Sequence, residues 1–227
     1  MARPSRAHEK RAELVTAARA AVIRHGVADL RMRDVADQAE MTPGAVQYYF
    51  PTLSDVLREV QREAVERFCV DREAAARAEP DPRRRLLGMI RSGLPTSRDD
   101  ELAHLLLELG TFARRDPAYS AQHVRLYERQ VALYAAILEA GAATGVLALT
   151  RDPNTIARSL VLLEDGIGLH LTQAVPPLDT SQAEAILLAY AADAAGCDLA
   201  GVEGESSSRT DPDSRPNPDS CTDPEGS

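Results

Sequence analysis

The sequence predicts an all-α protein of about nine helices, on three observations. Ala, Leu and Arg dominate a chain that is 44% hydrophobic, and all three stand high in helix propensity. Apolar residues recur at three- and four-residue steps, and no stretch shows the period-two alternation of a half-buried strand. Three Asp-Pro dipeptides, Asp81-Pro82, Asp116-Pro117 and Asp152-Pro153, each set an N-cap before an N1 proline, and each opens an apolar-periodic segment.

Taken in order, the first helix is predicted over about 6–25. Leu14, Ala18, Ala21, Val22 and His25 share one face, and Gly26 follows as the terminator. Two short helices come next, near 33–39 and 43–49. Thr52, with Asp55 three residues on, forms a capping box for a long helix. Its Leu57, Val60, Ala64 and Phe68 keep the helical step, and it ends before Pro80. The Asp-Pro pairs predict starts near 82, 117 and 153. Between Asp99 and Arg114, another helix is marked by Leu102, Leu105, Leu106, Leu109 and Phe112. Ser181 and Glu184 predict a box for a last helix to about Cys197, set off by Pro176-Pro177.

These elements suggest a first unit over 1–52, whose linking helix continues to about 68, and a helical unit over 53–200. From Gly201 the apolar pattern stops. The run Ser206-Ser207-Ser208, four prolines and scattered acids predict a disordered acidic tail over 201–227. A solubilising role for it is the plainer reading, and an electrostatic brake on a basic face is the sharper one.

The net charge of −9 counts against a nucleic-acid partner only until it is located. Arg3, Arg6, Lys10, Arg11, Arg19 and Arg24 face only Glu9 and Glu13 in the first 24 residues, whereas 201–227 carries seven acids against Arg209 and Arg215. Screening confines such fields to about 8–10 Å, so the local balance decides phosphate attraction. Cys69, Cys197 and Cys221 are odd in number and far apart, which argues against a disulfide framework or a metal site. No signal peptide is evident and no uncharged run approaches the ~20 residues that span a bilayer, so the expected location is the cytoplasm.

The stretch from Met32 to Phe50 carries the most chemistry. Two short helices joined by a tight turn, the second opened by Thr42 and Pro43, have the form of a helix-turn-helix, whose second helix enters the DNA major groove. Val35, Ala39, Met41, Val46 and Tyr49 are apolar where the helices must face each other. Gly44 and Ala45 lack bulk, so the N-terminus can approach a backbone. Gln47 can pair with adenine, and the Tyr48 hydroxyl can bond a phosphate. Arg31 and Arg33, at the start of the preceding helix, are candidate phosphate contacts. The DNA-binding set is therefore Arg31, Arg33, Thr42, Pro43, Gly44, Ala45, Gln47, Tyr48 and Tyr49. An ordinary helix hairpin with a Thr-Pro cap is the bland alternative.

Residues of about 6–68 resemble the N-terminal domain of the TetR family of transcriptional regulators. The matching string is Val35-Ala36, then Ala39-Glu40-Met41-Thr42-Pro43-Gly44-Ala45-Val46-Gln47-Tyr48-Tyr49-Phe50-Pro51. Three positions depart from the family pattern. Glu40 stands where that family usually has a left-handed Gly, at a cost of about 1 kcal/mol. Gln47 replaces a frequent Tyr. Leu53 replaces a frequent Lys, which removes one phosphate contact and predicts a salt dependence flatter by about one unit.

The resemblance implies a C-terminal half that encloses a small-molecule pocket and forms a homodimer through its last two helices. Apolar faces on those helices (Ile156, Leu160, Val161, Leu163, Ile167 and Leu171; Ala183, Ile186, Leu187, Tyr190 and Ala194) fit a four-helix pairing. Expected pocket residues are Met89, Leu105, Leu109, Phe112, His123, Tyr127, Tyr134 and His170, with Tyr119 in the same region. Gly166 and Gly168 mark either a close approach or a packing notch. The implied function is a homodimeric repressor, released from a palindromic operator when a small, largely apolar effector changes the spacing of its two reading helices. An activator of the same fold is the alternative.

Other classes draw less support. Glu101, His104 and Glu108 share a helical face, and Glu-x-x-His occurs in carboxylate-bridged metal bundles, but the second copy such enzymes need is absent. No phosphate-binding Gly loop or nucleophile elbow is present, so no catalytic residue, cofactor or metal is expected. A helical adaptor using its acidic tail is a third class.

Overall fold

The computed structural model describes residues 6–173, 178–199 and 202. Among them are nine α-helices: α1 Arg6–His25, α2 Met32–Gln38, α3 Pro43–Tyr49, α4 Leu53–Ala78, α5 Pro82–Gly93, α6 Glu101–Gly110, α7 Pro117–Ala143, α8 Pro153–Thr172 and α9 Thr180–Ala195. A 3-10 turn, Thr111–Arg114, joins α6 to α7, and the described residues form no strand.

The caps explain the boundaries. Asp81, Asp116 and Asp152 accept from the amides of Arg83, Ala118 and Thr155, each ahead of an N1 proline. Thr52 and Asp55 form the expected box at α4. Gly26 leaves α1 at φ 70°, a conformation open to it because it lacks a Cβ. At α9 the expected box is corrected. Asp179 with Gln182 caps the helix, and Glu184 instead accepts from Arg91 Nε at 2.7 Å. The expected face of α1 loses His25, which is exposed, and gains Val15 and Ala17.

Two large hydrophobic clusters organise the described residues, with a small third one of Val65, Cys69 and Leu126. The first joins α1, α2, α3 and the start of α4 through Leu14, Ala18, Val22, Val35, Val46, Phe50, Val56 and Val60. Leu105 and Leu109 of α6 and Tyr119 of α7 belong to it as well. The second gathers α5, α7, α8 and α9 around Leu86, Ile90, Tyr134, Leu138, Leu160 and Leu187. The long α4 runs through both, contributing Ala64 to one and Ala76 to the other. Leu199 packs on the second cluster, and Val202 is buried, so burial continues past Gly201 where the sequence pattern suggested that a solvated tail begins. Pro176-Pro177, Cys221 and the rest of 203–227 lie outside the described residues.

Candidate nucleic-acid interface and effector cavity

The helix-turn-helix is built by burial of one face and presentation of the other. Val46 and Phe50 are fully buried against α1 and α2, which fixes the roll of α3. Thr42, Pro43, Gly44, Gln47 and Tyr48 are exposed, Ala45 and Tyr49 half-buried, and Tyr48 stands 83% open to solvent. Thr42 Oγ1 accepts from the Ala45 amide at 3.3 Å. Glu40 sits at φ 53° in the turn, the left-handed position foreseen for it. Arg31 and Arg33 are exposed at the start of α2, where the Arg31 amide donates to Asp34.

One residue of this surface was not singled out from the sequence. Arg11 of α1 lies over the Phe50 ring, 4.1 Å from its centroid, and donates to the Tyr49 carbonyl. It anchors the exit of α3 to α1. Its position in a basic helix was legible, but its partners lie 38 residues away.

In the C-terminal half, a cavity of about 80 Å³ lies where α4, α5, α6, α7 and α8 converge. Phe68, Pro95, Leu106, Leu107 and Leu126 supply apolar walls, and His123, Gln130, Glu164 and Asp165 supply polar ones. Behind it, Arg72 is 3% and Glu164 2% exposed, and the two pair at 2.9 Å. Arg72 also donates to Gln130 at 2.5 Å and to the Met89 carbonyl at 2.7 Å, and the Tyr134 hydroxyl donates to Glu164. Burial pushes the Glu164 carboxyl above its ordinary value, although Arg72 and Tyr134 pull the other way. The same burial, reinforced by Glu164, carries the Tyr134 hydroxyl well up. Gly93 permits this packing, because a Cβ there would lie 2.0 Å from Glu164 Oε1.

The sequence comparisons agree with both halves. Residues 14–60 match the model of the bacterial regulatory proteins of the tetR family, and residues 82–196 match that of the BetI-type transcriptional repressor C-terminal region. The chain belongs to the TetR family. It is a DNA-binding transcriptional regulator, of a family of regulators and not of enzymes.

Solved structures share the TetR fold along most of the chain. A TetR transcription regulator from Haloarcula marismortui is 25% identical, with TM-score 0.73, covering 83% of this chain and 98% of its own. A transcriptional regulator from Saccharomonospora viridis, solved with choline, is 22% identical with TM-score 0.73, covering 79% and 93%. The multidrug binding protein EbrR, solved with imidazole, is 28% identical with TM-score 0.57, covering 80% and 94%. No curated protein sequence gives a significant match.

In this TetR-family regulator the residues expected to hold a ligand are dispersed. His123 lines the C-terminal cavity. Leu105 and Leu109 belong to the N-terminal core, and Phe112, packed on Tyr119, lines the cleft between the two halves. Met89 and Tyr134 sit in and around the buried Arg72 network. Tyr127 accepts from Arg158 at 3.4 Å, and His170 is exposed in the last turn of α8. Of the two glycines on α8, Gly168 is buried on the cavity wall, 3.8 Å from Pro95 by its would-be Cβ, whereas Gly166 meets nothing. The sequence missed Arg72, Gln130 and Glu164. A charged residue among apolar helix positions was the available signal, but no local pattern pairs residues 92 apart.

The metal reading fares differently. His104 Nε2 bonds the Arg98 carbonyl and Glu108 accepts from the Val27 amide, so the two are directed to separate partners. Among the described residues no group of three His, Cys, Asp or Glu gathers for a metal ion, and no helix is long and apolar enough to cross a membrane.

Proposed function

We propose that the chain is a homodimeric repressor whose α3 reads a palindromic operator, and whose effector, a small and largely apolar molecule, acts from the cavity among α4, α6, α7 and α8. The observation that carries the regulatory half of this reading is the double duty of α6. Its Leu105 and Leu109 pack in the N-terminal core, while its Ala103, Leu106 and Leu107 line the cavity. The void of about 80 Å³ is too small for most metabolites, so an effector has to push a wall outward. If that wall is α6, the helix-turn-helix moves with it, and DNA affinity falls by the effector's preference for the displaced state.

Within this reading, Gln47 pairs with a base edge and Tyr48 with a phosphate. Arg31 and Arg33 bind phosphates. Thr42, Pro43, Gly44 and Ala45 form the close-approach end of α3, and Tyr49 is held by Arg11. In the cavity, the Glu164 and Asp165 acceptors favour an effector with a hydrogen-donating or cationic end, with His123 and Gln130 beside it. The structural neighbours solved with choline and with imidazole are consistent with small nitrogen-bearing ligands in this fold. Dimerisation uses α8 and α9, which leave Leu162 (61%), Ile186 (52%) and Leu169 (40%) exposed, an apolar stripe suited to a symmetry mate. The protein acts in the cytoplasm, where its operator is, and carries no catalytic role.

The test uses a duplex enriched from a random-sequence library by the full-length protein. Light scattering should give a dimer, and fluorescence anisotropy should give salt-sensitive binding to a palindromic sequence. Gln47→Ala and Tyr48→Ala should each weaken it by about tenfold or more while remaining folded. A monomer, or failure to enrich any duplex, overturns the reading.

A further inference from the structure

An open cleft of about 1150 Å³ separates the helix-turn-helix unit from the turn between α6 and α7. One wall is Gly26, Val27 and Ala28, with Leu53, Ser54 and Leu57 of the first turns of α4. Arg114 and Arg115 stand on the other. The two walls are stapled at a defined height. The Tyr119 hydroxyl donates to the Ser54 carbonyl at 3.3 Å, and Arg58 Nε lies 3.7 Å from Asp116 Oδ2. Asp116 directly follows the two arginines, so both are held beside the start of α4, which only three residues separate from the end of α3.

Both arginines are exposed, and among the described residues neither forms an ion pair or donates from its side chain. Acids of the same region have partners of their own. Glu108 takes the Val27 amide, Asp116 takes the Ala118 amide and faces Arg58, and Asp55 takes the Thr52 amide. Two adjacent unpaired guanidinium groups at the edge of a DNA-facing surface neutralise phosphates, because counterion release rewards each contact irrespective of sequence. Leu53 supplies no such charge at the start of α4.

We propose that Arg114 and Arg115 contact the phosphate backbone of the operator, so that the C-terminal half itself holds DNA. This rests on the DNA-reading role of α3. It also gives the effector a second lever. The arginines stand at the end of the 3-10 turn that continues α6, and an effector that shifts α6 withdraws a phosphate contact as well as changing the spacing of the reading helices.

The experiment is anisotropy with the enriched duplex across a salt series, comparing wild type with Arg114→Ala/Arg115→Ala. The double variant should lose about tenfold in affinity near ~0.1 M salt, and its log–log salt slope should be shallower by about 1–2. Its ranking of base-substituted duplexes should be unchanged, and Arg114→Lys/Arg115→Lys should restore most of the slope. A double variant with wild-type slope and affinity overturns the proposal, and leaves α3 as the reader if Tyr48→Ala still weakens binding. Inorganic phosphate separates a free-anion site. If it raises the melting temperature of wild type but not of the double variant, while DNA binding is equal in both, the cleft serves a soluble anion and the proposal falls.

Discussion

Glu108 of α6 accepts a hydrogen bond at 2.9 Å from the backbone amide of Val27, 81 residues earlier in the chain. The bond ties the helix that lines the C-terminal cavity to the turn that leads into the helix-turn-helix. Glu108→Ala leaves a part-buried amide without this partner and should cost about 1 kcal/mol in urea unfolding. Glu108→Gln keeps an acceptor and should cost less. Equal stability of Glu108→Ala and wild type would mean that the amide finds water instead.

The Arg72–Glu164 pair makes a different kind of prediction. Two charges out of water are held by each other, Gln130, Tyr134 and the Met89 carbonyl. Removing one partner strands the other, so Arg72→Met or Glu164→Leu should each lose about 3–5 kcal/mol, whereas the double variant should recover much of that. Gly93→Ala attacks the same point from outside. Its Cβ would meet a carboxylate that Arg72 and Tyr134 prevent from yielding, at a cost of about 1–3 kcal/mol. A double-mutant cycle showing no coupling would remove the pair as a unit.

These two relationships mark where the sequence stopped being legible. The Asp-Pro caps at Asp81, Asp116 and Asp152 and the Thr42-Pro43 and Thr52–Asp55 signals act within one helical turn, so they placed five helix starts from local chemistry alone. The exposed face of α3 followed from the period of its apolar residues. The cavity did not follow, because Phe68, Leu106, His123, Gln130 and Glu164 come from four helices and meet only through their packing. Leu105 and Leu109 had the right type and period for a pocket, yet apolarity cannot tell which of two neighbouring cores a helix face will join.

Glu40 offers a test of backbone strain in the DNA-reading unit. It holds φ 53° although its side chain carries a Cβ, and its amide still donates to the Asp37 carbonyl. The left-handed conformation costs a residue other than Gly or Asn about 1 kcal/mol. Glu40→Gly removes that strain but frees the unfolded chain, so the net gain should be positive and below about 1 kcal/mol. Thermal melts should show a small rise, and a fall would indicate that the Glu40 side chain stabilises the turn by a contact of its own.

Thr52 and Asp55 separate two contributions of one cap by their response to acid. Thr52 Oγ1 accepts from the Asp55 amide, and its hydroxyl also donates to the Asp55 carboxylate at 2.7 Å. The hydroxyl, more than the Thr52 amide or the charges of Arg58 and Arg11, holds Asp55 below its ordinary value of 3.8. A carboxyl depressed in the folded state stabilises it fully above the ordinary value. That stabilisation is lost as pH falls through the depressed value, since the unfolded chain then binds the proton more readily. Thr52→Ala should therefore cost about 1 kcal/mol at neutral pH. The carboxylate's share should vanish in acid while the amide's share persists, so the cost at about pH 3 should be smaller than at pH 7 but not zero. Urea titrations at both pH values measure it. An identical cost at both would assign the whole effect to the amide bond and none to the charge.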